Sequence, residues 1–175
     1  MVAETWNLVW LAVVAQFADL PTVGDATRVL TRLTLAALLG GVLGYEREHS
    51  GKSAGLRTHT LVALGSALLV VAVQQAGMQT ADLSRVIQGI VAGIGFLGVG
   101  TIFTRSADSR PHGLTTAAGI WLTAGIGVTA GMGHGATAVF TTALALVVLG
   151  LLPRGTVQTG RRSPGTTTPP ALPDK

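Results

Sequence analysis

Three stretches of this chain are long and apolar enough to cross a lipid bilayer, and they constrain its fold more than any other feature. Residues 58–78, 86–103 and 113–133 contain no aspartate, glutamate, lysine or arginine. A spanning helix needs about 20 largely apolar residues. Two shorter apolar stretches, 33–45 and 136–152, complete the set, the first reaching full length only with Arg32. Because the links are short, we predict an all-α, polytopic integral membrane helical bundle of about five transmembrane helices.

The composition supports a membrane protein. The chain is 48% hydrophobic and only 11% charged, whereas about a quarter of the residues in a soluble domain are charged. It has no cysteine, which excludes disulfides and thiolate metal sites. The net charge of +4 and the isoelectric point near 10.7 are compatible with nucleic-acid binding, but membrane topology explains the basic residues better. We therefore expect the lipid bilayer, and no nucleic acid, as a partner.

The lysines and arginines predict an orientation. With loops assigned alternately to two sides, nine fall on the side of the 45–59 loop and three on the other. Loops rich in lysine and arginine stay in the cytoplasm. The 45–59 loop and the C-terminus are therefore predicted to be cytoplasmic.

Two segments are predicted to flank the bundle domain, which covers residues 28–152. Residues 1–27 are predicted to form an amphipathic segment whose apolar run 6–20 lies at the membrane interface. The alternative is a sixth span, for which this run is short. Residues 153–175 hold five of the seven prolines and are expected to form a disordered cytoplasmic tail.

Glycines recur at spacings that suit close helix packing. A glycine every fourth residue offers a smooth face to a neighbouring helix in lipid. The alternative is a broken helix near 93–100 that exposes carbonyl groups to a polar pathway. The packing candidates are Gly40, Gly44, Gly89, Gly93, Gly95, Gly98, Gly127 and Gly131.

Three long motifs occur in order: GYEREHSGKSAGLRTHTLVALGSAL, SRVIQGIVAGIGFLGVGTIF and HGLTTAAGIWLTAGIGVTAGMG. In these motifs the chain resembles the MgtC/SapB family of bacterial inner-membrane proteins over about residues 28–152. The resemblance implies a five-helix multi-pass protein of the bacterial cell (inner) membrane. It further implies links to growth at low magnesium, to survival of pathogens inside macrophages and to modulation of the ATP synthase.

The chain departs from the family pattern in two places. Long members carry a soluble C-terminal domain of the ACT type, so we expect this chain to be a short form without it. The family's Asp-Pro-Ser/Thr-Arg before the glycine-rich helix appears here as Asp82-Leu83-Ser84-Arg85, without the proline.

Charged residues cluster at the predicted cytoplasmic ends of three helices. Ionisable groups near a membrane interior need partners and are functional candidates. The alternative is a set of interfacial ion pairs that anchor helix ends. The candidates are Glu46, Arg47, Glu48, Arg57, His59 and Arg105.

A second group lies on the opposite side and includes Arg32, Asp82 and Arg85. By resemblance, Asp82 is the family's acidic residue at the start of the glycine-rich helix and the first candidate for a functional carboxylate. Its alternative role is to cap that helix. Asp82 is also the one candidate for a residue that binds Mg²⁺, and no other cofactor is expected.

Two functions remain open at this stage. One is a regulatory or accessory factor that acts through other membrane proteins, the ATP synthase among them, or through self-association. The other is a small transporter or channel for Mg²⁺ or protons, although none of the eight acidic residues is central in a span. An enzyme is not expected, because no Walker-type loop, HExxH pair or activated nucleophile occurs.

Overall fold

The computed structural model describes residues 2–20, 22–103 and 113–151. They form six helices and no strand: α1 Val2–Ala15, α2 Val23–His49, α3 Leu56–Gln75, α4 Thr80–Phe103, α5 Leu114–Gly131 and α6 Gly135–Leu151. The predicted all-α helical bundle is confirmed. Arg105 and the predicted tail 153–175 lie outside the described residues.

Four helices, α2 to α5, are long and apolar enough to span a membrane. The fifth predicted span corresponds to α6, whose 17 residues stand at the lower limit for crossing a bilayer. Helix α1 has 14 residues, and its described side chains are exposed. Its position at the membrane surface stays a prediction.

Helix α2 is longer than the apolar stretch that predicts it. It begins at Val23, where the side chain of Thr22 accepts a hydrogen bond from the backbone N–H of Asp25. The helix crosses the predicted boundary between residues 27 and 28 without a break. Its 27 residues span about 40 Å at about 1.5 Å per residue. Since the hydrocarbon core is about 30 Å thick, both charged ends of α2 reach the headgroup regions.

Helices α3 and α5 form the centre of the bundle. One core cluster joins them to α2 and α6, and a second cluster joins them to α4. Helices α2, α4 and α6 end where α3 and α5 begin. We call this side of the bundle the Arg47 end and the opposite side the Arg32 end.

Glycines determine how closely α2 and α5 approach α3. A Cβ atom at Gly40 would lie 2.6 Å from the carbonyl oxygen of His59, and one at Gly44 would lie 2.7 Å from the Cα of Leu56. On α5, Gly127 and Gly131 meet the backbone of Ala63 and Ala67. Larger side chains at these positions would force the helices apart.

Helix α4 runs unbroken from Thr80 to Phe103 and buries only one side. Ile90, Ile94 and Gly98 lie four residues apart and are buried, and a Cβ at Gly98 would contact Ala117 of α5 at 3.5 Å. At Gly89, Gly93 and Gly95 a Cβ would meet no atom of the described chain within 4 Å. These three glycines therefore do not pack against a helix of the described chain. Their predicted packing role would apply to contacts with another chain, and it stays a prediction.

Candidate functional site

The charged residues of the 45–59 stretch come together at the Arg47 end. Arg47 lies in the last turn of α2 and His59 in the first turn of α3, and the two side chains are 3% and 0% exposed. Both continue the packed faces of their helices. Arg47 follows Gly40, Leu43 and Gly44 at helical spacing and therefore turns inward with them.

His59 has one ring nitrogen occupied and one without a partner. Its Nδ1 lies 3.0 Å from the carbonyl oxygen of Gly55. Because a carbonyl oxygen only accepts, Nδ1 must carry a proton and donate it. The buried Nε2 has no hydrogen-bond partner among the described residues, so in the neutral ring it is an unused acceptor.

Arg47 is paired on one edge of its guanidinium group only. Its Nη1 lies 3.7 Å from Oε2 of Glu46. The other edge carries Nε and Nη2, which are buried and have no hydrogen-bond partner within the described chain. A buried charged donor without a partner is costly, so this edge is a candidate binding group.

Arg47 and His59 line a cavity of about 310 Å³ between α2, α3, α5 and α6. We call it the Arg47 cavity. Its other lining residues are Leu43, Thr115, Ala118, Gly119, Leu122, Thr141, Leu144, Ala145, Val148 and Leu149. The walls are apolar, and the polar groups are few and convergent, which is typical of ligand sites.

The two glutamates of the stretch have local partners. The carboxylate of Glu48 accepts a hydrogen bond of 2.8 Å from the backbone N–H of Leu56 and so caps α3. Glu46 accepts a hydrogen bond of 2.8 Å from the hydroxyl of Ser50. Arg57 is exposed in the first turn of α3, and Arg105 lies outside the described residues.

At the Arg32 end, Arg32 joins three helices. Its Nη1 donates to the side-chain oxygen of Gln74 at 2.5 Å and to the carbonyl oxygen of Gly131 at 3.1 Å. These hydrogen bonds connect the last turns of α3 and α5 to α2. Sequence reasoning missed Gln74, although its place near the end of an apolar helix marks it as a residue that needs a polar partner.

Asp82 and Arg85 form a separate pair near the start of α4. Their side chains are 3.6 Å apart, and that of Arg85 is 79% exposed. Asp82 also accepts a hydrogen bond of 3.3 Å from the backbone N–H of Gln79, which is a capping interaction. The described structure records no contact between Asp82 and Arg32. Nor do the described residues contain a group of three metal-ligating side chains.

Comparison with known proteins gives consistent matches. A model of the MgtC family matches residues 33–156. The chain is 43% identical over 137 residues to protein SrpB of Synechococcus elongatus, covering 72% of this chain and 75% of SrpB. It is 44% identical over 119 residues to protein MgtC of Brucella abortus, covering 67% of this chain and 48% of that protein.

A third relative is YhiD of Escherichia coli, which carries the name "Putative magnesium transporter". The identity is 39% over 130 residues and covers 69% of this chain and 58% of YhiD. The chain thus spans between about half and three quarters of the length of these relatives. No solved structure matches it.

Proposed function

Because this chain belongs to the MgtC family, we propose that it serves magnesium homeostasis as a regulatory or accessory protein of the bacterial cell membrane. It acts by binding other membrane proteins. The ATP synthase is one partner that the family resemblance suggests, and a second copy of the chain is another. In this proposal the protein is not an enzyme, and its C-terminus is cytoplasmic.

The open side of α4 carries this proposal. Gly89, Gly93 and Phe96 fall on one helical face at spacings of four and three residues. A Cβ at either glycine would meet no described atom within 4 Å, and Phe96 is 81% exposed. In a bilayer such a face permits the close approach of another helix, because small residues bring the two backbones together. An aromatic ring beside them adds contact area.

The positions of the carboxylates favour regulation over ion conduction. Among the described spans, Asp25 and Asp82 lie in first turns, and Glu46 and Glu48 lie in a last turn. Each takes part in a cap or an ion pair at its helix end. Magnesium keeps several waters and usually binds one or two carboxylates, and the described spans offer none in their central turns.

The second candidate function is transport of Mg²⁺ or protons, and the name of YhiD favours it. A pathway through this bundle would have to use backbone carbonyls and hydroxyl groups. Thr123 and Thr129 of α5 donate to carbonyl oxygens of their own helix, which leaves the lone pairs of their hydroxyl oxygens as the groups that a cation would meet.

Reconstitution separates the two functions. The purified protein is placed in liposomes that contain either a Mg²⁺-sensitive or a pH-sensitive dye, beside liposomes without protein. We expect no flux above the protein-free liposomes. Mg²⁺ or proton flux that depends on the protein would establish transport and overturn the regulatory proposal.

A growth assay tests the α4 face. Wild type is first shown to restore low-magnesium growth to a strain that lacks its own family member. Gly93→Leu should then abolish growth at normal membrane abundance, because its side chain blocks the partner helix. The matched control is Ala143→Leu, at an exposed position of α6. Normal growth with Gly93→Leu would contradict the docking role.

A further inference from the structure

The Arg47 cavity has the depth and the polarity of a site for one lipid chain. Arg47 lies two residues before the end of α2 and is therefore at headgroup level. Leu122 lies eight residues after Leu114, the first residue of α5, and is therefore about 12 Å further into the membrane than the start of that helix, at about 1.5 Å per residue. Arg47, His59 and Thr115 thus lie near the membrane surface, and the deeper walls, which are apolar except for Thr141, extend towards the bilayer centre.

The mouth of the cavity is on the surface that spans present to lipid. Leu144 is 64% exposed and Val148 is 46% exposed, and both line the cavity on α6. Apolar side chains exposed on a spanning helix contact acyl chains. A lipid molecule can therefore enter from the bilayer without passing through water.

The free edge of Arg47 specifies the headgroup chemistry. Nε and Nη2 are the two parallel donors on one edge of the guanidinium group, and both are buried without a described partner. Such a pair matches two oxygens of one phosphate or carboxylate group. The pairing with Glu46 on the opposite edge, at 3.7 Å, leaves these donors unused.

His59 adds a second requirement. Its Nε2 is an acceptor in the neutral ring, since Nδ1 donates to Gly55. A phosphate diester has no hydrogen to give, whereas a headgroup hydroxyl has one. The site therefore favours an anionic headgroup that also carries a hydroxyl group.

We propose that the Arg47 cavity binds one anionic phospholipid of the phosphatidylglycerol type. Its phosphate accepts hydrogen bonds from Nε and Nη2 of Arg47, and a headgroup hydroxyl donates to Nε2 of His59. One acyl chain lies along Leu43, Leu122 and Val148. The bound lipid fills the gap between α2, α5 and α6 and completes the Arg47 end of the bundle.

Native mass spectrometry of the full chain in detergent tests this site. The protein is offered an equal mixture of phosphatidylglycerol and phosphatidylcholine with identical acyl chains. Both lipids offer a phosphate to Arg47, so the preference depends on the headgroup hydroxyl that satisfies Nε2 of His59 and on the choline cation, which Arg47 repels. Wild type should retain phosphatidylglycerol about tenfold more, the ratio that corresponds to about 1.4 kcal/mol for a buried acceptor left without its hydrogen bond. Equal retention of the two lipids would overturn the proposal.

Three variants locate the binding. Arg47→Gln removes the cation that repels choline and should strongly reduce the preference, whereas Arg47→Lys keeps the charge and should reduce it less. Lys52→Gln makes the same charge change at an exposed loop position of the same end and should retain the preference. An unchanged preference in Arg47→Gln, or loss of the preference in Lys52→Gln, would refute the assignment to Arg47.

A fourth variant tests the cavity even where Arg47→Gln does not fold. Ala118 lines the cavity from α5 and is exposed, so Ala118→Leu fills the space while keeping Arg47. It should release the lipid, whereas Ala143→Leu on α6 should not. Millimolar inorganic phosphate should fail to displace the lipid. Displacement by phosphate would show an anion site without a lipid chain, and lipid retention by Ala118→Leu would show binding elsewhere.

Discussion

Replacing Gly40 by alanine should loosen the contact between α2 and α3. A Cβ at this position would lie 2.6 Å from the carbonyl oxygen of His59 and 2.7 Å from the Cβ of Ala63. Carbon-to-oxygen contacts are about 3.3 Å at closest, so α2 must move away from α3 by about 0.7 Å. A gap of that size forfeits about a quarter to a half of the dispersion energy of the facing atoms.

The expected loss of stability follows from two opposing effects. Overpacking costs about 1–3 kcal/mol, and alanine gains at most about 1 kcal/mol over glycine in helix propensity. Gly40→Ala should therefore lower the free energy of unfolding by up to about 2 kcal/mol relative to wild type, and by about 1–3 kcal/mol relative to an alanine that replaces a glycine without close neighbours. At Gly93, where a Cβ would meet no described atom within 4 Å, only the propensity gain applies. Gly93→Ala should leave stability unchanged or raise it.

Unfolding by SDS in mixed micelles, followed by circular dichroism, measures both variants against wild type. Each change adds one methyl group to a helical glycine, so they differ only in surroundings. If Gly40→Ala were as stable as Gly93→Ala, the close approach of α2 to α3 would be wrong.

Three further predictions concern the charged residues. Arg32→Gln should lower the free energy of unfolding by about 1–3 kcal/mol in the same SDS assay, because it removes the hydrogen bonds to Gln74 and Gly131. The control Arg28→Gln, at a side chain that is 74% exposed, should leave this free energy almost unchanged. Equal effects of the two changes would refute the role of Arg32. Asp82→Asn should keep membrane abundance and low-magnesium growth near wild type, because asparagine caps a helix nearly as well; loss of growth with normal abundance would instead establish a functional charge. Reporter fusions after Lys52 and after Arg162 should both report the cytoplasm, and a periplasmic signal from either would overturn the predicted orientation.

The spans could be predicted from sequence because a bilayer requires long apolar stretches. Residues 58–78 and 113–133 contain α3 and α5 almost completely. For α2 the apolar stretch was a poor guide to length. Its first ten residues are helical because Thr22 and Asp25 cap the start and the headgroup region tolerates their charges.

The roles of individual glycines could not be read from their spacing. Gly40 and Gly44 have the same four-residue spacing as Gly89 and Gly93, yet the first pair meets the backbone of α3 and the second pair faces open space. Which face of a helix meets a neighbour depends on the rotation of that helix in the bundle. Local spacing does not determine this rotation.

The helical period of the sequence predicts the burial of Arg47. Arg47 and Arg57 both belong to the charged 45–59 stretch, but only Arg47 continues a packed helical face, through Leu39 and Leu43. His59 likewise precedes Ala63 and Ala67 at intervals of four residues on the buried side of α3. Extending the helical period into the charged stretch separates these two residues from the exposed ones.

Site-specific photo-crosslinking in intact membranes tests most directly whether α4 docks another membrane protein. A photoreactive phenylalanine analogue replaces Phe96 on α4 or, as the control, Phe140 on α6, whose side chains are 81% and 75% exposed. We predict a discrete protein adduct at position 96 and lipid adducts alone at position 140. An adduct heavier by 17.8 kDa, the mass of the chain, would identify a second copy as the partner. Lipid adducts alone at position 96, or the same protein adduct at both positions, would contradict the account.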